Sequence, residues 1–114
     1  MTWDDVVAMA LSLPGSTTST SYGTPSLKVG PKLLTRLRTE DTSLVLLDVP
    51  SDERDHLIEV EPATFHVTPH YRDHAIVLAR LATLAPGAAR SFLVRRWRNI
   101  AAKRAVRDFD DGTT

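Results

Sequence analysis

The segment FHVTPHYRDHAIVLARL (residues 65–81) decides the fold of the second half of the chain, because it is compatible with two structures. As a helix it would place His66, His70 and His74 on one face, with the four-residue spacing that metal ligands on a helix require. Pro69 would then lie in the helix interior, where proline removes a hydrogen bond and clashes with the preceding turn. The segment therefore predicts a β-hairpin with a loop at its centre.

The histidines of this hairpin have two interpretations. With a loop at 69–73, residue 66 is expected to pair with residue 76, and His66 and His74 become diagonal neighbours about 7 to 8 Å apart. His70 lies in the turn between them, so the three imidazoles meet only if the loop folds back over that face. We therefore favour a hairpin with polar or half-buried histidines over a metal site.

A catalytic role is a more specific hypothesis for the same loop. A loop histidine titrates near neutral pH, so His70 is a candidate acid or base beside Asp73 or Tyr71. The chain has no cysteine, and no nucleophile motif accompanies the histidine. We therefore predict no catalytic residue, no cofactor and no resident metal. An enzyme that binds a metal or a small molecule through the His66–His74 hairpin is the least favoured hypothesis.

Outward from the hairpin, hydrophobic periodicity predicts three helices and three further strands. Thr2 and Asp5 form a capping pair that starts the first helix, and Ser51 or Asp52 caps the second. The predicted elements, in chain order, are a helix ended by Pro14, strands at 26–29, 32–38 and 43–49, a helix from 51 to Pro62, strands at 65–68 and 74–81, and a helix from Pro86 to about Val106. This αβββαββα order predicts an α+β fold with one antiparallel sheet and the helices packed on one side of it.

Length and composition predict a single domain. The chain has 114 residues, enough for one core, with 42% hydrophobic and 25% charged residues, as in ordinary globular proteins. The domain is expected to span residues 1–107. Residues 108–114 have few groups that could pack, and they are expected to form a frayed tail.

The sequence also predicts where the protein works. Its first residues carry acids in place of the bases of a secretory signal, and no apolar run approaches the about 20 residues that cross a bilayer. The absence of cysteine fits a reducing compartment. We therefore expect a soluble, cytoplasmic protein with no membrane partner.

The formal net charge of zero conceals two segments of opposite sign. Residues 86–107 hold seven bases and no acid, whereas residues 40–61 hold eight acids and the single base Arg54. On the last predicted helix, the bases fall opposite the apolar arc that contains Trp97. This basic face has two interpretations. It binds the phosphate backbone of a nucleic acid, or it is a solvated face whose cations pair with the acidic second helix.

Three stretches carry a family resemblance. They are TSYGTPSLKVGPKLLTRL (residues 20–37), FHVTPHYR (residues 65–72) and the C-terminal pattern around Trp97 and Lys103. They occur in this order and span nearly the whole chain. In these motifs the sequence resembles the MmcQ/YjbR family of small bacterial proteins.

The resemblance implies both a fold and a function. The fold is a secretion-chaperone-like α+β arrangement in the same αβββαββα order, and the function is DNA binding through a double-wing arrangement. The sequence departs from the family pattern at Ile76, where many members have tryptophan, and at residues 73–74, where they have a glycine and an aromatic residue. The resemblance assigns no role to the motif loop residues, which are Tyr22, His70, Tyr71 and Arg72.

Charge and resemblance together favour a non-catalytic DNA-binding protein. The strands at 26–29 and 32–38 form the first hairpin of the chain. The candidate phosphate contacts are basic residues of this first hairpin and of the last helix, namely Lys28, Lys32, Arg36, Arg38, Arg95, Arg98, Lys103 and Arg104. The alternative is a chaperone-like adaptor whose acidic middle segment binds a basic protein partner or a second copy of the chain. A monomer or a weak homodimer is expected in either case.

Overall fold

The fold is a six-stranded antiparallel sheet with helices against one of its faces. The computed structural model describes residues 1–112, which form, in chain order, α1 (Trp3–Leu11), β1 (Ser16–Ser21), β2 (Thr24–Val29), β3 (Lys32–Arg38), β4 (Ser43–Leu47), α2 (Ser51–Val60), β5 (Phe65–His66), a 3₁₀ turn (Pro69–Tyr71), β6 (Ile76–Arg80), α3 (Pro86–Ile100) and α4 (Lys103–Gly112). The strand order is β1-β2-β3-β4-β6-β5. The predicted α+β class with one antiparallel sheet is confirmed. Among residues 1–112, no helix is long and apolar enough to cross a membrane.

The central strands alternate between a helix-covered face and a second face. Leu44 and Leu46 of β4 lie in the main core with side chains from α1 and α3. Val45, between them, points the other way and forms a small separate cluster with Leu78 of β6 and Tyr71. We call the side of the sheet that carries Val45 and Leu78 the open face. Because side chains alternate along a strand, the register fixes which residues of β2 and β3 share this face.

The strand β1 is absent from the sequence prediction because it has no apolar alternation. Its residues read STTSTS, and it lies at the edge of the sheet, paired with β2 alone from Ser16 opposite Val29 to Ser21 opposite Thr24. An edge strand buries little surface, so main-chain pairing and β-branched threonines suffice to form it. The observed order therefore has one more strand before α2 than predicted.

The predicted register of the second hairpin was wrong by two residues. His66 pairs with Leu78 and not with residue 76. The strand β5 is short because residues 67–75 leave the sheet and form a long connection that contains the 3₁₀ turn. Pro69 starts that turn, where the missing N–H of proline costs no hydrogen bond.

The two capping predictions had different outcomes. At the start of α1, the Asp5 N–H donates to Thr2 Oγ1 and the Thr2 N–H donates to the Asp5 carboxylate, which confirms the predicted pair. At α2 the prediction was wrong, because Pro50 is the N-cap and no side chain caps the helix. Ser51 and Asp52 lie in the first turn itself, where the negative charge of Asp52 interacts favourably with the helix dipole.

The C-terminal helix of the prediction is divided into two helices. Ala101 has an extended backbone that ends α3. The next helix, α4, turns back so that the centroids of the Phe109 and Trp97 rings lie 4.9 Å apart. Trp97 is fully buried, as its place in the apolar arc predicts. Residues 108–112, assigned to a frayed tail, are thus helical, and residues 113–114 of that predicted tail lie outside the described residues.

Candidate functional site

The basic face of α3 is largely neutralised within the molecule. Arg95 forms a two-pronged pair with Glu53 of α2, with N–O distances of 2.8 and 2.9 Å. Arg98 forms the same kind of pair with Asp110 of α4. The hydrogen bonds to these carboxylates raise the pKa of Arg95 and of Arg98, and lower the pKa of Asp110. Arg95 therefore pairs with the acidic second helix, as the solvated-face interpretation predicts.

A third arginine of α3 fastens the helix to the sheet. Arg96 donates to the carboxylate of Asp48 at 3.0 and 3.2 Å and to the Leu33 carbonyl at 2.9 Å. Asn99 donates to the same carboxylate at 3.0 Å. Asp48 adopts a left-handed backbone (φ 62°) directly after β4. These contacts make Arg96 a structural residue of the helix–sheet interface.

A depression of about 480 Å³ along the outer side of α3 lacks the shape of a closed site. Its lining runs from Gly87 to Asn99 and comes from α3 alone. It includes Arg95 and Arg98, whose charges are paired as described. With one helix as its only wall, this surface cannot enclose a ligand.

The candidate phosphate contacts do not form one surface. Lys28, Arg36 and Arg38 lie on the open face, because they alternate with Leu27 and Leu37, whose side chains join the main core. The remaining candidates belong to the helix-covered side of the molecule, namely Lys32, Arg95, Arg98, Lys103 and Arg104. Apart from Lys32, the hairpin bases are therefore separated from the helix bases by the sheet.

Arg36 has the most informative surroundings of these bases. Its guanidinium donates to Thr24 Oγ1 at 3.3 Å and to the Tyr71 hydroxyl, and it lies 5.7 Å from the centre of the Tyr22 ring. Arg38, on the same face, is instead held by two neighbouring acids at 2.6 and 3.2 Å. Within residues 1–112, no carboxylate oxygen lies within the 4.0 Å of a salt bridge from Arg36. Its charge is thus paired with hydroxyl groups and an aromatic ring only.

Tyr22 adopts a backbone conformation that tyrosine rarely takes. Tyr22 and Gly23 connect β1 to β2, and both have positive φ angles, 53° and 75°. This is the pattern of a type I′ turn, whose first position favours asparagine, aspartate or glycine. A bulky residue in the left-handed region is strained. The side chain is nevertheless 94% exposed, so packing does not explain its presence.

The connection between β5 and β6 folds back over the open face. Tyr71, at the end of the 3₁₀ turn, is buried against Val45 and Leu78. The His70 ring meets the Tyr71 ring edge-on, with centroids 4.7 Å apart. Of the motif residues in this connection, His70 and Arg72 are exposed and Tyr71 is buried.

A pocket of about 440 Å³ lies on the open face between this connection and the β1–β2 turn. Its floor is apolar and consists of Leu33, Val45, Leu47 and Ile76. Its rim consists of Tyr22, Arg36, His70, Tyr71 and His74. The fold thus brings three of the four motif residues to one place although they are distant in the sequence. Arg72 is not part of the lining.

A buried arginine holds one wall of this pocket. Arg54 of α2 is 4% exposed, and its guanidinium donates to the main-chain carbonyls of Arg72 and His74 at 3.0 and 3.2 Å. Its neighbour Asp55 accepts a third bond at 3.2 Å and is largely exposed. Arg54 therefore fixes the connection that carries His70, Tyr71 and His74. The sequence gives no signal for this role, because a lone arginine in an acidic helix is usually solvated.

His66 lies in a different cluster on the open face. Its Nε2 atom lies 3.0 Å from Ser43 Oγ and 3.3 Å from Asp41 Oδ2. Burial lowers the pKa of His66, and the nearby charge of Arg80 lowers it further against the opposing effect of Asp41. Serine and aspartate contact the same ring nitrogen, whereas a hydrolytic triad needs the acid on the other one. The cluster therefore lacks the geometry of a nucleophile and its base.

The side chains of the three histidines of the second hairpin do not meet at one point. His70 and His74 line the pocket rim, and His66 contacts Ser43 and Asp41 elsewhere. Within the part of the chain that the structure describes, no group of three or more His, Asp or Glu side chains is placed to hold a metal ion. Their surroundings are those of polar and half-buried side chains.

Comparisons of the chain with protein-family models, curated proteins and solved structures gave no match. The site is therefore defined by its own geometry. Its floor was missed in the sequence because Val45 and Leu47 belong to a continuous apolar strand, in which no period separates the two faces.

Proposed function

We propose that the protein binds single-stranded DNA through the open face of the sheet, without catalysis. The observation that supports this proposal most directly is the position of Arg36. It is a cation without a carboxylate partner among residues 1–112, and it lies beside the exposed ring of Tyr22 at the rim of a pocket. A cationic surface with exposed aromatic rings is typical of proteins that bind single strands.

The proposed interface keeps the hairpin bases of the open face and omits Lys32 and the helix bases. Lys28 and Arg36 lie on the open face and are the proposed phosphate contacts. Arg38 contributes less, because two acids already hold it. Arg95 and Arg98 would each have to give up a bidentate carboxylate partner in order to bind a phosphate. Their net contribution to the free energy of binding is therefore expected to be small.

Membership of the MmcQ/YjbR family is part of the same proposal. It rests on the three motifs, of which two supply residues to the pocket, Tyr22 from the first and His70 and Tyr71 from the second. The resemblance implies DNA binding, and the open face offers a surface for it. A bacterial, cytoplasmic location belongs to this proposal as well, since that is where such a protein meets DNA.

A protein-binding adaptor is the second candidate, and the structure gives it less support. The large exposed apolar side chains among residues 1–112 are Leu11, Tyr22 and Val60, which belong to α1, the β1–β2 turn and α2. They share no element and suggest no continuous apolar patch for a partner. Two acids of the middle segment, Asp48 and Glu53, are already paired with arginines of α3.

Fluorescence anisotropy with a labelled oligothymidylate of about 16 nucleotides tests the proposal. We expect binding at about 50 mM salt that weakens strongly by about 200 mM, because phosphate contacts release counterions. Lys28→Glu and Arg36→Gln should each weaken binding. Lys103→Glu is the matched control, since it makes the same charge change on α4, on the far side of the sheet.

Two results would contradict the proposal in different ways. No binding of the wild-type protein at about 50 mM salt would remove DNA binding altogether. An equal loss of affinity in Lys28→Glu and Lys103→Glu would show that the open face is not the interface. A duplex of the same length is expected to bind more weakly than the single strand, because its bases are not free to reach Tyr22.

A further inference from the structure

The pocket on the open face has the size and lining of a small-molecule site. Its volume of about 440 Å³ falls within the roughly 300 to 1,000 Å³ of known ligand pockets, which are mostly apolar with a few placed polar groups. The floor here is wholly aliphatic, from Leu33, Val45, Leu47 and Ile76. An apolar floor of this kind accepts a flat, weakly polar group and rejects a strongly hydrated one.

The rim adds a positive charge that nothing in the described chain neutralises. Arg36 donates to the hydroxyl groups of Thr24 and Tyr71, which orient its guanidinium without cancelling its charge. A guanidinium has five N–H donors in a planar fork, so donors remain for a ligand. An anionic oxygen next to a flat ring is the chemistry that this rim complements.

The aromatic groups of the rim supply a face for stacking. The Tyr22 ring is exposed and lies 5.7 Å from the Arg36 guanidinium. His70 and His74 also line the pocket, and an imidazole can donate to or accept from the edge of a ring. Tyr22 thus carries its aromatic ring at a turn position whose backbone conformation is unfavourable for a bulky residue.

We propose that this pocket binds one unstacked nucleobase, with Tyr22 stacked on the base and Arg36 bound to the adjacent phosphate. The inference rests on the proposed function in so far as the base comes from a single strand. A free mononucleotide presents the same base and phosphate, and the experiment distinguishes the two sources. A base inside a duplex cannot enter the pocket without leaving its stack.

The test compares an oligothymidylate with an abasic oligomer of the same length and label. Both carry the same phosphates, so binding by charge alone makes them equal. We expect the base-bearing oligomer to bind at least about five-fold more tightly, as one base–aromatic stack provides. Tyr22→Ala should abolish this difference, and Tyr22→Phe, which keeps the ring, should preserve it.

A second variant blocks the pocket from its floor. Leu47 is half-buried and lines the floor, so Leu47→Trp directs a large ring into the space that the base occupies. We expect the preference for the base-bearing oligomer to be lost while the abasic oligomer binds as before. Thermal unfolding followed by circular dichroism checks the fold of each variant. Residue 22 lies on an exposed turn, so Tyr22→Ala provides the same test if Leu47→Trp does not fold.

The outcomes separate the pocket from the proposed function. If both oligomers bind equally and Tyr22→Ala changes neither, the base pocket is wrong while DNA binding stands. If neither oligomer binds but thymidine monophosphate shifts the His70 and His74 ring resonances, the pocket is supported with a free nucleotide as its ligand, and DNA binding is wrong. If neither the oligomers nor thymidine monophosphate bind, both proposals are wrong.

Discussion

The backbone of Tyr22 is strained at a turn position where a smaller residue would adopt the same conformation at a lower cost in free energy. Asparagine is common in the left-handed region because its short polar side chain can bond locally, whereas a tyrosine ring gains nothing from that conformation. The ring makes no core contact and is 94% exposed. Residues held in sparsely populated backbone regions tend to lie at functional sites. The strain at Tyr22 therefore supports its assignment to the binding rim.

Tyr22→Asn is expected to raise stability and lower binding together. The turn keeps its conformation with a better-suited residue, so the free energy of unfolding should rise by about 0.5 to 1 kcal/mol in urea titrations. Affinity for the oligothymidylate should fall at least about five-fold, because the stacking ring is lost. Tyr22→Phe is the control and should change neither property appreciably. Unchanged affinity in Tyr22→Asn would show that the ring has no part in binding.

His66 gives the fold a specific dependence on pH. Burial lowers the pKa of His66 in the folded protein below its ordinary value of 6.5. The unfolded chain therefore takes up a proton first as the pH falls. The contribution of neutral His66 to stability is complete well above pH 6.5, declines as the pH falls below that value, and is lost below the folded pKa.

His66→Gln should flatten this part of the stability profile. The glutamine side chain can still bond to Ser43 but does not titrate, so the decline in unfolding free energy below pH 6.5 should become smaller. The measurement is urea unfolding across the range that brackets this value. His56→Gln, on the exposed side of α2, is the control. An equal effect in both variants would rule out the titration of His66 as the cause.

The second helix acts on the pocket through Arg54. Arg54→Met keeps the length of the side chain but leaves the carbonyls of Arg72 and His74 without their donor. We expect a loss of about 1 kcal/mol or more in unfolding free energy, because two partly buried carbonyls lose their hydrogen-bond donor. Hydrogen exchange should also become faster in residues 67–75 than in the rest of the sheet.

Asp55→Asn provides the comparison for Arg54→Met. Asp55 is largely exposed, so its ion pair with Arg54 should contribute less than about 1 kcal/mol and its removal should leave exchange in residues 67–75 unchanged. If Arg54→Met accelerates exchange uniformly through the sheet, Arg54 supports the general core and has no particular role in the pocket wall.

The fourth helix covers Trp97. Phe109→Ala is expected to lower the unfolding free energy by about 1 to 2 kcal/mol, less than a fully buried phenylalanine, because Phe109 is only half-buried. In a Trp3→Phe background, the emission of Trp97 should shift to the red as water reaches its ring. Arg107→Ala, on the exposed side of α4, should leave the emission unchanged. A spectrum unaffected by Phe109→Ala would mean that α4 does not shield Trp97.

Elements with an apolar pattern, whether periodic or continuous, could be predicted from the sequence, and elements without one could not. The β4 sequence SLVLL indicated a strand covered on both faces, and Leu44, Val45 and Leu46 are all buried. The strand β1 escaped prediction because an edge strand is stabilised by main-chain pairing, which leaves no mark on a polar sequence. The bend at Ala101 carries neither glycine nor proline, so only the contact between α4 and Trp97 reveals it.

The pocket could be predicted only in part for similar reasons. The motif residues Tyr22, His70 and Tyr71 were singled out in the sequence, but their convergence depends on the connection at 67–75 folding over the sheet. A hairpin register derived from the nearest turn could not foresee this. Long-range contacts of single polar side chains, such as that of Arg54, have no local signal at all.

The two charged segments of the chain are partly paired with each other in the folded molecule. The acidic middle segment and the basic last segment meet in the helix-covered half, where Glu53 and Asp48 bind Arg95 and Arg96. On the open face, Arg36 is held by uncharged groups. The paired arginines of α3 are therefore less available for a ligand than Arg36.

Arg95→Glu separates these two roles. It reverses one charge of the helix-covered half and opposes Glu53, so unfolding free energy should fall by no more than about 1 kcal/mol, because the pair is partly exposed. Affinity for the oligothymidylate should stay within about two-fold of the wild type, since the sheet separates Arg95 from Lys28 and Arg36 and salt screens the interval. The exchanged pair Arg95→Glu with Glu53→Arg should recover most of the lost stability, because the attraction is restored with its direction inverted. A large loss of affinity in Arg95→Glu that the exchanged pair does not restore would place α3 in the DNA interface and would contradict the assignment to the open face.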